Sequence, residues 1–164
     1  HQEVSMAPTL RMLSAPKVLV INDDPRQLDE LISGLRIEGC PALGAVNFQQ
    51  AVEALANDDC DAAIIDLMIS EMNGLKLARK FKQMYPELLT MLMSDYLLSP
   101  VQLAKADTGV VGFVPKPCCV QSLARFIRRK LGSKSLREEE TTNSSSDGND
   151  SLSPFEVHSF QYAL

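Results

Sequence analysis

The sequence predicts an α/β fold, a doubly wound sheet of five parallel strands alternating with five helices. Three observations carry that expectation between Lys17 and Leu131. Short apolar runs are continuous rather than alternating, as in strands buried on both faces. Between them lie longer stretches with helical periodicity. The runs stop at polar residues, which places those residues at the carboxyl edge of the sheet, where open α/β sheets bind ligands.

The elements follow in order. VLVIN (Val18 to Asn22) is a β-branched run, followed by Asp23, Asp24 and Pro25 and a helix with Leu28, Leu31, Ile32 and Leu35 on one face, stopping before Gly39. Gly44, Ala45 and Val46 form a short second strand, and Asn47 is placed to cap a helix whose apolar side is Ala51, Val52 and Leu55. AAIID (Ala62 to Asp66) is the third strand, with a helix from about Leu75 to Met84 behind it. LLTMLMS (Leu88 to Ser94) is the fourth, followed by a weaker helix over 99–106. VVGFV (Val110 to Val114) is the fifth, and Val120 to Leu131 is the fifth helix, apolar at Val120, Leu123, Ala124, Ile127 and Leu131.

Composition narrows the class. The 164 residues are 45% hydrophobic and 23% charged, as in an ordinary globular protein of one domain. No apolar run reaches the roughly 18 residues of a membrane span, and no signal peptide opens the chain, so a cytoplasmic protein is expected. Cys40, Cys60, Cys118 and Cys119 form no CxxC pair, and His1 and His158 lie at the two ends, so a zinc site is not expected and the cysteines read as reduced and structural. Residues 16–132 hold 14 acidic and 13 basic side chains, whereas 133–164 hold six acidic and two basic, so most of the net charge of -5 sits in the tail. Such a neutral region, without Trp and with 5% aromatic residues in the chain, lacks the basic, aromatic face of a nucleic-acid binder. Residues 1–15 read as a flexible leader, 16–132 as the folded domain, and 133–164 as an acidic and polar tail. Within that tail 133–154 are expected to be disordered, and an apolar cluster of Phe155, Val157, Phe160, Tyr162 and Leu164 ends it.

Asn22, Asp23, Asp24, Asp66, Ser94 and Lys116 follow strands one, three, four and five and are expected to converge. The carboxylates with an amide beside them make a hard-oxygen cluster suited to Mg2+. A hydroxyl and an ammonium facing them suit phosphoryl transfer to a carboxylate, with Asp66 as nucleophile and Ser94 and Lys116 binding phosphoryl oxygens.

These residues resemble the receiver domain of bacterial two-component response regulators over about residues 16–132. VLVINDDP looks like that family's strand and acidic cluster, and DLMISEMNGLKL like the loop after its phospho-acceptor Asp, with Met72, Asn73 and Gly74 in place of Met-Asp-Gly. MLMSDY ends a strand in the expected hydroxyl, and GFVPKP carries Phe113, Lys116 and Pro117, whose preceding bond is usually cis in the family. The resemblance implies a flavodoxin-like (βα)5 fold and Mg2+ as cofactor. It makes Asp66 the phosphorylation site, Asp23 the direct metal ligand together with Asp66, and Met68 a ligand through its backbone carbonyl. Asn22 or Asp24 would reach the metal through water, Lys116 would contact the phosphoryl group, and Ser94 and Phe113 would be the switch pair, Phe113 turning inward on activation.

Three departures bear on that chemistry. Asn22 stands at the first acidic position and removes a formal charge from the metal site; Ser70 replaces a loop proline and leaves the loop less rigid; Asp95 follows Ser94 where the family prefers Ala or Gly, a carboxylate that would repel an arriving phosphoryl group and slow phosphorylation.

Taken singly, each feature has a plainer reading. Asp23 and Asp24 before Pro25 could be only a helix cap, Asp66 a turn former, and Lys116 a solvated loop charge. Met68, Met72, Met91 and Met93 read as packing residues, because thioethers suit soft metals. Arg125, Arg128, Arg129 and Lys130 read as a solvated helix end or as a docking face.

The resemblance thus implies a signalling switch, not a turnover enzyme. It would be phosphorylated on Asp66 by a histidine kinase or phosphotransfer protein. A downstream protein, or a second copy forming a homodimer, would bind the face made by the fourth helix, fifth strand and fifth helix. Residues 133–164 leave no room for a DNA-binding or catalytic output domain, so output is expected through protein binding or phosphorelay. The alternative is a pseudo-receiver that binds partners without phosphorylation, motivated by Asn22, Ser70 and Asp95. A phosphatase or dehalogenase on a similar sheet is disfavoured, because the second Asp expected two residues after the nucleophile is Met68.

Overall fold

A computed structural model describes residues 15–70, 72–95 and 109–141, with side chains described through Ser133. The elements are β1 (Val18–Ile21), α1 (Pro25–Ile37), β2 (Ala42–Ala45), α2 (Phe48–Asn57), β3 (Ala62–Asp66), α3 (Gly74–Met84), β4 (Leu89–Ser94), β5 (Gly112–Pro115) and α4 (Val120–Thr141). All strand pairings are parallel, in the order β2-β1-β3-β4-β5. This is the doubly wound, five-stranded sheet the sequence predicts. The helix expected over 99–106 lies outside the described residues, as does the apolar end of the tail.

Strand parity builds two cores. Val18 and Val20 of β1 and Ala62 and Ile64 of β3 join Leu28, Leu31 and Leu35 of α1 and Leu123 and Ile127 of α4. The intervening Leu19, Ile21, Ala63 and Ile65 join Leu77 and Phe81 of α3 on the opposite face. The helices therefore sandwich the sheet.

Local chemistry sets the boundaries. The Asp24 side chain caps α1 by accepting from the backbone N–H of Arg26 at 3.0 Å, and Pro25 takes the first turn, where its missing N–H costs nothing. Past the other end of α1, Gly39 has φ of 81°, a left-handed conformation that favours glycine. Asn47 caps α2 as expected, accepting from Gln50 N–H at 2.8 Å. Pro115 is tolerated at the end of β5 because β5 is an edge strand.

The last helix differs from expectation. It does not stop at Leu131 but continues to Thr141, so 133–141, expected to be without structure, are helical. Lys, Leu, Arg and Glu, all good helix formers, dominate this stretch and outweigh the roughly 1 kcal/mol cost of Gly132. No described helix is long and apolar enough to cross a membrane. Cys40, Cys60, Cys118 and Cys119 are all free thiols; Cys119 is exposed, so the structural role expected of the cysteines does not extend to it.

Candidate functional site

The same parity positions the site. Asn22 continues the Val18 and Val20 register of β1, Asp66 the Ala62 and Ile64 register of β3, and Lys116 the Val114 register of β5. All three emerge at the carboxyl edge on the α1 side of the sheet. There they meet: the Lys116 ammonium forms an ion pair with Asp66 Oδ2, and Asn22 Nδ2 donates to that same oxygen at 3.1 Å. Asp66 Oδ1 accepts from the backbone N–H of Met68 at 2.9 Å. Asp66 is only 4% exposed, so its charge is held by named donors rather than by water.

Asn22 is oriented on all sides. Its Oδ1 accepts from Asp24 N–H at 2.9 Å, while Nδ2 also donates to Gln27 Oε1 at 3.2 Å. Gln27 Oε1 receives Lys116 Nζ at 3.0 Å, so this first-turn side chain of α1 ties Asn22 and Lys116 together. Sequence reasoning missed Gln27. The available signal was its place one turn into a helix that starts directly above the strand ends.

Asp23 lies beside this group and turns toward the loop after β3. Its Oδ2 accepts from the backbone N–H of Ser70 at 2.8 Å and from the Ser70 hydroxyl. Those two bonds, the hydroxyl foremost, hold the Asp23 carboxyl below the usual carboxylate range. Ser70, where a proline was expected, thus ties the loop to Asp23, and a bridge joins Met68 and Asn73. Asn73 then caps α3, accepting from Leu75 N–H at 2.8 Å. Gly74 is required here: a Cβ would stand 2.5 Å from the Asp66 carbonyl oxygen and 2.7 Å from Leu67 Cα.

The remaining predicted residues divide. Ser94 ends β4, buried, and its carbonyl accepts Lys116 N–H at 3.0 Å. The Lys116–Pro117 bond is cis. Phe113, expected to turn inward, is already fully buried in the core with Leu92, across the strand pairing from it. Asp24 is committed to the α1 cap, which sets it apart from Asp23 and Asp66, and Asp95 is exposed.

The donor set fits a hard divalent cation. The Asp23 and Asp66 carboxylates and the Met68 carbonyl are oxygen donors of the type Mg2+ takes. Among the described residues no group of three or more His, Cys, Asp or Glu gathers in one place, so any such site has two carboxylates and otherwise neutral donors.

Comparison with known proteins places the chain in a family. The family model described as response regulator receiver domain matches residues 18–128. The heme response regulator HssR of Staphylococcus aureus strain Newman is 33% identical over 113 residues, 69% of this chain and 50% of that protein. The response regulator MprA of Mycobacterium ulcerans is 25% identical over 78% of this chain and 55% of its own length. The chain thus spans about half the length of these curated relatives. Among solved structures, a CheY-like receiver domain protein from Methanospirillum hungatei matches with a TM-score of 0.67 and 22% identity, covering 76% of this chain and 99% of that one. A response regulator from Burkholderia pseudomallei, solved with a phosphorylated aspartic acid, a calcium ion and citrate, matches with a TM-score of 0.62 and 23% identity over 79% of this chain and 75% of its own.

Proposed function

The chain belongs to the response regulator receiver domain family, and from that premise we propose that it is a two-component signalling switch phosphorylated on Asp66. The observation that carries this reading is the buried Asp66 at the end of β3, ion-paired to Lys116 beside a strand end that closes on Ser94. A phosphohistidine of a histidine kinase or phosphotransfer protein is the donor. An Asp66 carboxylate oxygen forms a bond to phosphorus as the phosphorus–nitrogen bond breaks, and the leaving imidazole takes a proton. Lys116, already at the carboxylate, moves its charge onto the phosphoryl oxygens, guided by Gln27. The Ser94 hydroxyl binds another of those oxygens, and the shift is passed along β4 and β5 to a partner-binding face that includes β5 and α4.

Asp23, Asp66 and the Met68 carbonyl would hold Mg2+, which would supply neutralisation of phosphoryl charge. The outputs of this reading are protein binding, self-association or phosphorelay in the cytoplasm, without turnover of a substrate. The test is intact mass after incubation with acetyl phosphate and MgCl2, with Asp66→Asn as control. A gain of one phosphoryl group, absent in Asp66→Asn, supports the reading; no gain at saturating MgCl2 refutes it.

A pseudo-receiver that binds partners without phosphate is the second reading. The specific observation favouring it is the Asn22 amide, which gives Asp66 a hydrogen where the family has a second carboxylate.

A further inference from the structure

Two departures from the family pattern, Asn22 and Ser70, lie on different loops, yet both donate hydrogen bonds into the carboxylates that would hold the cation. Asn22 Nδ2 donates to Asp66 Oδ2, and Ser70 donates to Asp23 Oδ2 through its backbone N–H and its hydroxyl. We infer that Asn22 and Ser70 form a donor latch that substitutes for part of the divalent cation's charge, sets its affinity low, and makes cation entry release the loop after β3. This inference rests on the proposed receiver reading, since it concerns the same site.

The physical argument starts from competition. A hydrogen aimed at a carboxylate oxygen and a cation seek the same lone pairs and repel each other, so a cation must displace or share each donor. An Asp at position 22 has no hydrogen to give; it would set a like charge against Asp66, and that repulsion is what a cation relieves. Asn22 relieves it internally. Its orientation is fixed by Asp24 N–H on Oδ1, which leaves Nδ2 facing Asp66 and Gln27. At Asp23 the donor comes from the loop that also carries Met68, whose carbonyl the cation would use. A cation that takes the Oδ2 lone pairs of Asp23 therefore competes directly with Ser70. Asn22 and Ser70 are positioning residues in this scheme.

The test titrates MgCl2 into the full 15N-labelled chain and follows the amide shifts of Met68 and Ser70 or the residue replacing it. Wild type, Ser70→Ala and Asn22→Asp are compared, with melting curves at zero and saturating MgCl2. Ser70→Ala, losing one of two donors to Asp23, should bind Mg2+ about fivefold tighter, and Asn22→Asp at least about tenfold tighter. The two variants should also show a larger rise in melting temperature with MgCl2 than wild type, as linkage requires. Equal or weaker affinity in both, or no shift in any protein, overturns the latch. Ser70 is exposed, so Ser70→Ala keeps the test decisive if Asn22→Asp does not fold. Acetyl phosphate phosphorylation is scored in parallel. Tightened Mg2+ binding without phosphorylation sustains the latch and refutes the receiver reading, whereas phosphorylation with unchanged affinities does the reverse.

Discussion

Replacing Lys116 with Met removes the cation that faces a carboxylate only 4% exposed, and the Lys116 side chain is itself 17% exposed. Taking one partner from a buried ion pair costs about 3–5 kcal/mol when the other charge is left with nothing. Asp66 is not left with nothing, because Asn22 Nδ2 at 3.1 Å and Met68 N–H at 2.9 Å remain. The expected cost of Lys116→Met is therefore the lower part of that range and below, about 2–3 kcal/mol. Asp66→Asn removes the charge and keeps one accepting oxygen, enough for the donors on one side of the carboxylate but not both, while Lys116 keeps Gln27 at 3.0 Å. Its cost should be about 1 kcal/mol.

The double variant is the discriminating one. Once Asp66 is neutral, Lys116→Met strands no charge, and its cost should fall to about 1 kcal/mol. The cycle then closes with a coupling of about 1.5 kcal/mol, measured by urea denaturation of the four proteins. A pair this secluded is weakly screened, so most of the coupling should survive in 1 M NaCl. Additivity within about 0.5 kcal/mol would refute the reasoning, because it would mean that Asp66 draws its stability from water or from Asn22 alone.

Three further outcomes follow from other parts of the structure. Gly74→Ala forces a Cβ against backbone atoms at 2.5 and 2.7 Å that no rotamer can relieve, so it should cost at least about 3 kcal/mol in denaturant melts, whereas Gly132→Ala, with open space around it, should be neutral or stabilising. Lys17 has its ammonium pKa raised, chiefly by the hydrogen bond to the Asp58 carboxylate. A raised folded pKa gives stability present below the unfolded value near 10.4 and lost as pH climbs through the folded one. The stability gap between wild type and Lys17→Met should accordingly hold at neutral pH and close only in strong alkali. Cys119 is exposed and its thiol pKa is lowered first by the Ser122 hydroxyl at 3.4 Å, while burial pushes Cys118 up to about 12. Iodoacetamide at neutral pH should label Cys119 ahead of Cys118, Ser122→Ala should slow that labelling, and peptide mass mapping reads both.

What the sequence revealed and what it hid separate along a physical line. Strand identity was legible because parallel strands buried on both faces are continuous apolar runs, and parity then places Asn22, Asp66 and Lys116 together with no further information. Caps were legible at Asn47 and Asp24 because a cap is a local pattern. The extent of α4 was not, since a tail rich in Glu and Ser reads as solvated whether it is helical or not. Gln27 and Ser70 were hidden for a different reason: each acts through partners far along the chain, Lys116 in one case and Asp23 in the other, and no local pattern announces such a bond. Ser70 could be flagged as a departure from a proline, but not the distant Asp23 carboxylate to which the backbone N–H freed by that departure donates.

The burial of Phe113 changes how the site can speak to the rest of the molecule. Asp66 and Lys116 lie on the α1 side of the sheet, whereas Ser94 continues the Leu92 register and Phe113 packs with Leu92 on the opposite side. On the proposed receiver reading, a signal that begins at Asp66 crosses the sheet at its carboxyl edge. At that edge Lys116 N–H donates to the Ser94 carbonyl at 3.0 Å, with Pro115 paired to Ser94 in the β4–β5 register. On that reading, moving Lys116 onto a phosphoryl group would pull on that bond, and moving Ser94 toward the same group would pull from the other strand. Both displacements act on the end of β5, two residues from Phe113. The Phe113 ring lies fully buried in the core at that point, and the chain that follows β5 leads into α4.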